Sequence, residues 1–234
     1  MFEDKKVNIY DDGIGGVALI QYMGDDLTIV NSARASLGEF STEMGDREKR
    51  LSNFLIREGH TSTTEHNVLT FWIKVPMYVA RQQMRHRTFS YNEISRRYTE
   101  YNIEFYNPPL YRTQHKSNRQ ASNQTEYVTG PMCGPILGCQ VHESVRRYTN
   151  LIMNQYENML EAGVCREQAR GILPQNMYTE YYGTANLNNI LKFIDLRIHE
   201  GAQVEIQEVA KAILQITREL YPITVGAYEK AKSS

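Results

Sequence analysis

The apolar positions of this chain change period several times, and each change marks an element. The clearest strand is Val68-Leu69-Thr70-Phe71-Trp72-Ile73-Lys74-Val75, β-branched and aromatic throughout and stopped by Pro76. Pro76 suits the first turn of a helix, and Met77, Val79, Ala80, Gln83 and Met84 then give a stripe at helical spacing. That stripe places Arg81, Gln82 and Arg85 on a helix predicted to end near Arg87, with Glu93 in the loop just beyond. Upstream, Asp25 or Asp26 caps a helix that runs through about Leu37, with Leu27, Val30, Ala33 and Arg34 on related faces. A second helix spans about Asp46 to Glu58, with Leu51, Phe54 and Leu55 at core spacing and Gly59 as its stop.

Downstream, Gln140 to Ala162 reads as a long helix with Val141, Val145, Tyr148, Leu151 or Ile152, Gln155 and Met159 on adjoining faces, ended by Gly163. Arg166 to Leu173 is a short helix, Met177 to Thr184 an extended segment, and Asn186 to Arg197 a helix with Leu187, Ile190, Leu191 and Ile194 inward. Val204 to Leu220 is another helix, broken before Pro222 and followed by a short last one. Residues 98 to 135 lack a sustained period and read as strand fragments and loop. No internal repeat appears; the length fits one large domain or two small ones, and a single domain over 1–234 is expected.

Two motifs look like sites and fail on context. Gly13, Gly15 and Ala18 match the loose dinucleotide pattern, but no helix has room to open before Met23-Gly24, so a Gly-rich hairpin turn is expected after the short strand Val7-Asn8-Ile9-Tyr10. His60 and His66 with Glu65 are spaced wrongly for one helical face, so no metal is assigned. Apolar residues make up 41% and the formal charge is −1, which argues against a broad cationic face for duplex DNA while leaving a local Arg cluster free to bind one phosphate. No apolar run nears the roughly 20 residues that cross a bilayer. The acids at Glu3 and Asp4 do not fit a signal peptide, so an intracellular, cytoplasmic protein is expected, in host cytoplasm if viral. The odd count of 3 cysteines, with no paired spacing, points to reduced thiols; Cys133 and Cys139 read as loop or buried thiols.

Residues 85 to 98 concentrate guanidinium, imidazole, hydroxyl and amide groups beyond what a fold needs. Arginine presents five donors in a planar fork, so Arg85 and Arg87 suit a phosphate or another anionic, planar ligand. A pair of cations at a helix end is also mildly stabilising on its own. The longer string separates these readings. Arg85-His86-Arg87, seven residues, then Ser95, with Asn92-Glu93 inside the gap and Arg97-Tyr98 after it, resembles the signature of the flavin-dependent thymidylate synthases. Gly59-His60, Glu65-His66, Ala169-Arg170, Leu173-Pro174, Tyr178-Thr179, Asn186 and Leu196-Arg197 extend the likeness from about Val7 to Tyr228.

That resemblance implies an α+β fold peculiar to the family, an antiparallel sheet with flanking helices, assembled as a homotetramer whose active sites are shared between subunits. It implies methylation of dUMP at C5 with methylenetetrahydrofolate as carbon donor and FAD carrying hydride from NADPH. By the same resemblance Gln82, Arg85, Glu93, Ser95, Arg96, Arg97, Arg170 and Arg197 correspond to dUMP-contacting positions. His60, Ser62, Arg85, His86, Arg87, Glu93, Asn186, Asn188 and Lys192 correspond to flavin-contacting positions. The chain departs from the pattern at Arg96, where a small residue is frequent, at Asn188 and Lys192, where Arg and Asn are expected, and at Ser62, a frequent threonine.

The uracil ring is a poor carbon nucleophile at C5. No activated cysteine is evident to attack C6, since Cys133 lies in a loop without a neighbouring base. Ser95 also lacks a clear base and is expected to bind substrate. The remaining route is a fixed cation near N3, the role expected of Arg197; a pairing with Glu200 or Asp195 is the structural alternative for that side chain. Two other functions remain open at this level. One is a single-stranded nucleic-acid module using Arg81, Arg85, Arg87, Arg96 and Arg97 with Tyr91 and Tyr98 as a stacking surface, and the other a flavin reductase without methyl transfer.

Overall fold

The computed structural model describes residues 6–131 and 140–233. Its centre is the expected strand, β3 (Val68–Pro76), which lies between β2 (Gly16–Met23) and β7 (Tyr178–Asn186) in an antiparallel sheet. The strand order is β1-β2-β3-β7-β4, with β1 (Val7–Asn8) at one edge and β4 (Ser90–Glu93) at the other. Leu69, Phe71, Ile73 and Val75 alternate along β3 and are fully buried, each burial stabilising by about 1.5–3 kcal/mol. They pack in one core with Ile190, Phe193 and Ile194 of α6 (Leu187–Ile198) and with Ile206, Val209 and Ile213 of α7 (Val204–Leu220). The other side of β3 is polar at Lys74, which pairs with Glu104, and at Trp72, whose indole N–H donates to Glu180 at 3.0 Å.

The Gly-rich segment is the turn of the β1–β2 hairpin. Asp12 Oδ1 accepts from the N–H groups of Ile14 and Gly15 at 2.9 and 3.1 Å, and Gly13 takes φ +73°. Both acids at 25 and 26 are caps, but of different helices. Asp25 forms a capping box with Thr28 on α1 (Asp26–Arg34). Asp26 is buried and accepts from Ile223 and Thr224 at 3.0 and 2.9 Å, at the N-terminus of α8 (Pro222–Ser233).

Several expectations change. The α1 helix gives way at Ala35–Leu37 to a 3₁₀ turn. In α2 (Asp46–Arg57) the buried face carries Glu48, Ser52 and Leu55, while Phe54 turns outward, 44% exposed, against His60 at 5.7 Å between ring centres. The aperiodic region contains a hairpin of β5 (Arg112–Gln114) and β6 (Ser122–Tyr127). The long helix, α4 (Val141–Glu161), buries only Ser144 and Tyr156 and leaves Tyr148 and Leu151 exposed, because the chain lays little against its apolar stripe. The segment 166–172 splits into α5 (Arg166–Ala169) and a 3₁₀ turn (Arg170–Ile172). Cys133 and Cys139 lie outside the described residues, and Cys165 is an exposed free thiol. Among the described residues no helix is long and apolar enough to cross a membrane.

Candidate active site

The signature begins where β3 hands the chain to α3 (Met77–Gln83). This helix stops at Gln83, four residues short of the expected end, so Arg85 and Arg87 stand on a turn beyond it. Tertiary contacts end it. Tyr91 of β4 donates its hydroxyl to Gln83 O at 2.8 Å, and buried Tyr181 of β7 donates to Gln83 Oε1 at 2.7 Å. Burial pushes both phenols above their ordinary pKa, so they stay protonated donors. Phe89 stacks on Tyr91 and packs edge-on against Phe193, which fixes the far side of the turn. Glu93 closes β4 opposite Tyr181 rather than sitting in a loop, and Thr179 donates to its carboxylate.

His86 and Arg197 meet at the root of this turn. Arg197 Nε donates to His86 Nε2 at 3.0 Å, and its Nη2 donates to the backbone carbonyl of Gln82 at 3.0 Å. The pairing with Asp195 considered from sequence is not made: Asp195 is held by Tyr228 and by Lys232 from α8. To accept from Arg197, His86 Nε2 must carry no proton. Burial, and secondarily the Arg197 charge, lower its pKa from 6.5 to about 4. The unfolded chain therefore takes up this proton near pH 6.5 and the folded chain only near 4, so folding stability falls as pH drops through that window. An NMR titration of the His86 imidazole is expected to centre near pH 4; a midpoint at 6 or above would show that the Arg197 contact is not maintained in solution.

A cavity of about 680 Å³ opens beside β4 and is lined by Glu93, Ser95, Arg96 and Arg170, together with Arg81 and Thr179. Arg170 is exposed, on the 3₁₀ turn after α5, and Arg97 is exposed and pairs with Glu167 at 3.4 Å. Among the described residues Arg81, Arg85, Arg87 and Arg170 make no ion pair, so their charge is available to an anion. Arg96 differs. It is 7% exposed, and its guanidinium donates to the backbone carbonyls of Tyr101 and Asn102, the latter at 3.3 Å, leaving Nε buried without a partner among the described residues. An arginine is therefore accommodated at this position by stapling the 101–102 turn.

A second cavity, about 300 Å³, is lined by His60, Asn188 and Lys192, with Leu55, Leu191 and Tyr228 as apolar wall. It shares no lining residue with the first. Buried Asn188 is oriented by Glu65, to which its amide donates at 3.0 Å. Asn186 caps α6 by accepting from the Asn189 N–H at 3.0 Å, and Ser62 is exposed on the 3₁₀ turn Thr61–Thr64. The structure gathers candidate residues at three places, the β4 cavity, the His86–Arg197–Gln82 junction and the α2–α6 cavity, while Arg85, Arg87, Arg97, Ser62 and Asn186 line neither cavity and stand outside that junction. The unpaired guanidiniums suit phosphate and pyrophosphate, and the amides and imidazole suit the polar edge of a planar ring. Gln203, which accepts from the Gln82 amide, was not visible from sequence because 121 residues separate the two.

The chain matches the family model described as thymidylate synthase complementing protein over residues 18–223. It is 42% identical over 227 residues to the flavin-dependent thymidylate synthase of Thermotoga neapolitana, covering 96% of this chain and 94% of that one. The Thermus thermophilus enzyme of the same name is 41% identical over 216 residues, covering 92% and 76%. Among solved structures it resembles a UMP/dUMP methylase, PolB from Streptomyces cacaoi bound with 5-Br dUMP, with a TM-score of 0.76 and 31% identity over 92% of this chain and 94% of that one. The mixed architecture of helices on an antiparallel sheet is shared with that methylase. With the signature of 85–98 folded into a turn, the strand β4 and a second turn after it, and a family match over most of its length, the chain belongs to the flavin-dependent thymidylate synthases.

Proposed function

We propose that the protein methylates C5 of dUMP to give dTMP, with methylenetetrahydrofolate as carbon donor and NADPH as the source of reducing equivalents. The observation that carries this reading is the fixed guanidinium of Arg197, locked by His86 Nε2 and the Gln82 carbonyl at the end of α3. Set against the imide edge of uracil, near N3, that charge stabilises the negative charge that builds there as C5 becomes nucleophilic. Each unit by which it lowers the N3 pKa corresponds to roughly 1.4 kcal/mol. In this reading Ser95 and Arg170, which line the β4 cavity, hold the 5′-phosphate together with Arg85 and Arg97, Gln82 and Arg197 face the base, and Glu93, held by Thr179, orients the sugar side. Arg96 lends structure to the same wall.

FAD, when bound, supplies the hydride that it receives from NADPH. Arg85, His86, Arg87 and Glu93 on one side and His60, Ser62, Asn186, Asn188 and Lys192 on the other would hold it. Glu93 lines one cavity and His60, Asn188 and Lys192 line another that shares no lining residue with it, so a homotetramer whose neighbouring subunits complete each site would bring the two sets together.

Purified protein tests the reading directly. The expected result is a bound yellow cofactor, together with NADPH oxidation and dTMP formation that both require dUMP and methylenetetrahydrofolate. A colourless protein whose binding to single-stranded DNA falls steeply with salt would overturn it. A yellow protein that oxidises NADPH without forming dTMP would reduce it to a flavin reductase.

A further inference from the structure

A further cavity, of about 500 Å³, lies between the β5–β6 hairpin, α4 and the start of α7. It shares no lining residue with the two cavities above, and its volume suits a small organic ligand. Tyr78, Tyr106, Tyr111 and Tyr148 stand around it, with Val145 and Ile152 of α4 as aliphatic wall. Two of these rings are pinned. The Tyr106 backbone N–H donates to Asn176 O at 2.8 Å and its carbonyl accepts from Asn176 Nδ2 at 2.9 Å, while the Tyr111 hydroxyl donates to Asn107 at 3.0 Å.

Among the described residues that line it, Arg112 and Glu205 alone are charged. Arg112 Nη2 donates to Glu205 Oε1 at 2.6 Å and Arg112 Nε to Ser122 Oγ at 3.0 Å; Glu205 is 4% exposed. A buried ion pair returns little net stability, because desolvation offsets its attraction. This one fastens the hairpin to α7 and sets a donor beside an acceptor in an otherwise apolar chamber. Arg112 Nη1 makes no hydrogen bond among the described residues, nor does the Tyr78 hydroxyl, which burial keeps protonated. Glu205 Oε2 accepts only from Gln203 among the described residues, at 2.8 Å, and so retains a lone pair.

We propose that this cavity is a binding site for an uncharged aromatic carboxamide or lactam, separate from the cavities assigned to dUMP and flavin. Tyrosine faces attract a cation, but the Arg112 guanidinium at the same place repels one, and Glu205 turns an anion away likewise. A neutral ring with a carbonyl and an N–H at one edge meets neither penalty. Its carbonyl accepts from Arg112 Nη1 or Tyr78, its N–H donates to Glu205, and its ring lies among the tyrosines.

Three probes of similar shape, benzamide, benzoate and benzylamine, test this by saturation-transfer NMR titration of the flavin-loaded protein at neutral pH, with dUMP saturating. Benzamide is expected to bind at millimolar concentration, the scale for so small a ligand, and about tenfold more tightly than either charged probe. Ile152→Trp, which places an indole in the cavity, is expected to abolish that binding. Glu205→Gln leaves the Arg112 charge without its partner and is expected to reverse the order, with benzoate above benzamide. Equal binding of the three probes, or benzamide binding that survives Ile152→Trp, would put the ring elsewhere and overturn the proposal. So would an order unchanged in Glu205→Gln, or no detectable binding to the wild type. Should Ile152→Trp not fold, the order of the probes on the wild type and its reversal in Glu205→Gln still decide the matter.

Discussion

Arg197→Ala is expected to lower dTMP formation by roughly 10²–10³-fold, the usual effect of removing one preorganised charge from a developing anion, while the chain keeps its fold and its flavin. The side chain ends at the surface of α6, half-buried, and its two contacts are to a neutral imidazole and a backbone carbonyl that water can replace. Burial also draws the guanidinium pKa down from its ordinary value, a mark of a charge held partly out of water, where it acts more strongly on a neighbour. Arg197→Lys is expected to recover little, because an ammonium cannot serve His86, Gln82 and a ligand from one planar fork. Single-turnover dTMP yield, read beside flavin absorbance, checks this. Wild-type turnover in Arg197→Ala would remove the arginine from the chemistry altogether.

Arg85→Ala is expected to weaken dUMP binding about 100-fold, the scale of a lost charge-assisted contact to phosphate, without altering thermal stability. Arg85 is exposed and carries no ion pair among the described residues, so the fold loses nothing when it goes. Its affinity contribution should shrink as salt is raised, since solvent-facing charge is screened over about 10 Å at 0.1 M. Titrating dUMP into both proteins at low and high ionic strength measures the effect. An affinity that is unchanged at low salt would place the phosphate elsewhere.

Much of this arrangement was legible in the chain because the signals were local. The alternation along β3, the turn chemistry of Asp12 and Gly13, and the caps at Asp25 and Gly59 each act within a few residues. The end of α3 was not legible, since the phenols that terminate it arrive from β4 and from β7, the latter about a hundred positions downstream. The partner of Arg197 was hidden for a similar reason. Its near neighbour in sequence, Asp195, is claimed by Tyr228 and Lys232, which only folding brings close. Phe54 and the stripe on α4 show the opposite failure, where a correct helical period did not tell which apolar residues this chain covers by itself.

His60, Asn188 and Lys192 line one cavity, Ser95, Arg96 and Arg170 another, and no residue belongs to both. If neighbouring subunits complete each site as proposed, two alleles crippled in different cavities should restore one another when co-expressed, because some mixed sites draw an intact half from each product. Two alleles damaged in the same cavity have no such remedy, so a cross of mutants would sort the lesions by the cavity they touch.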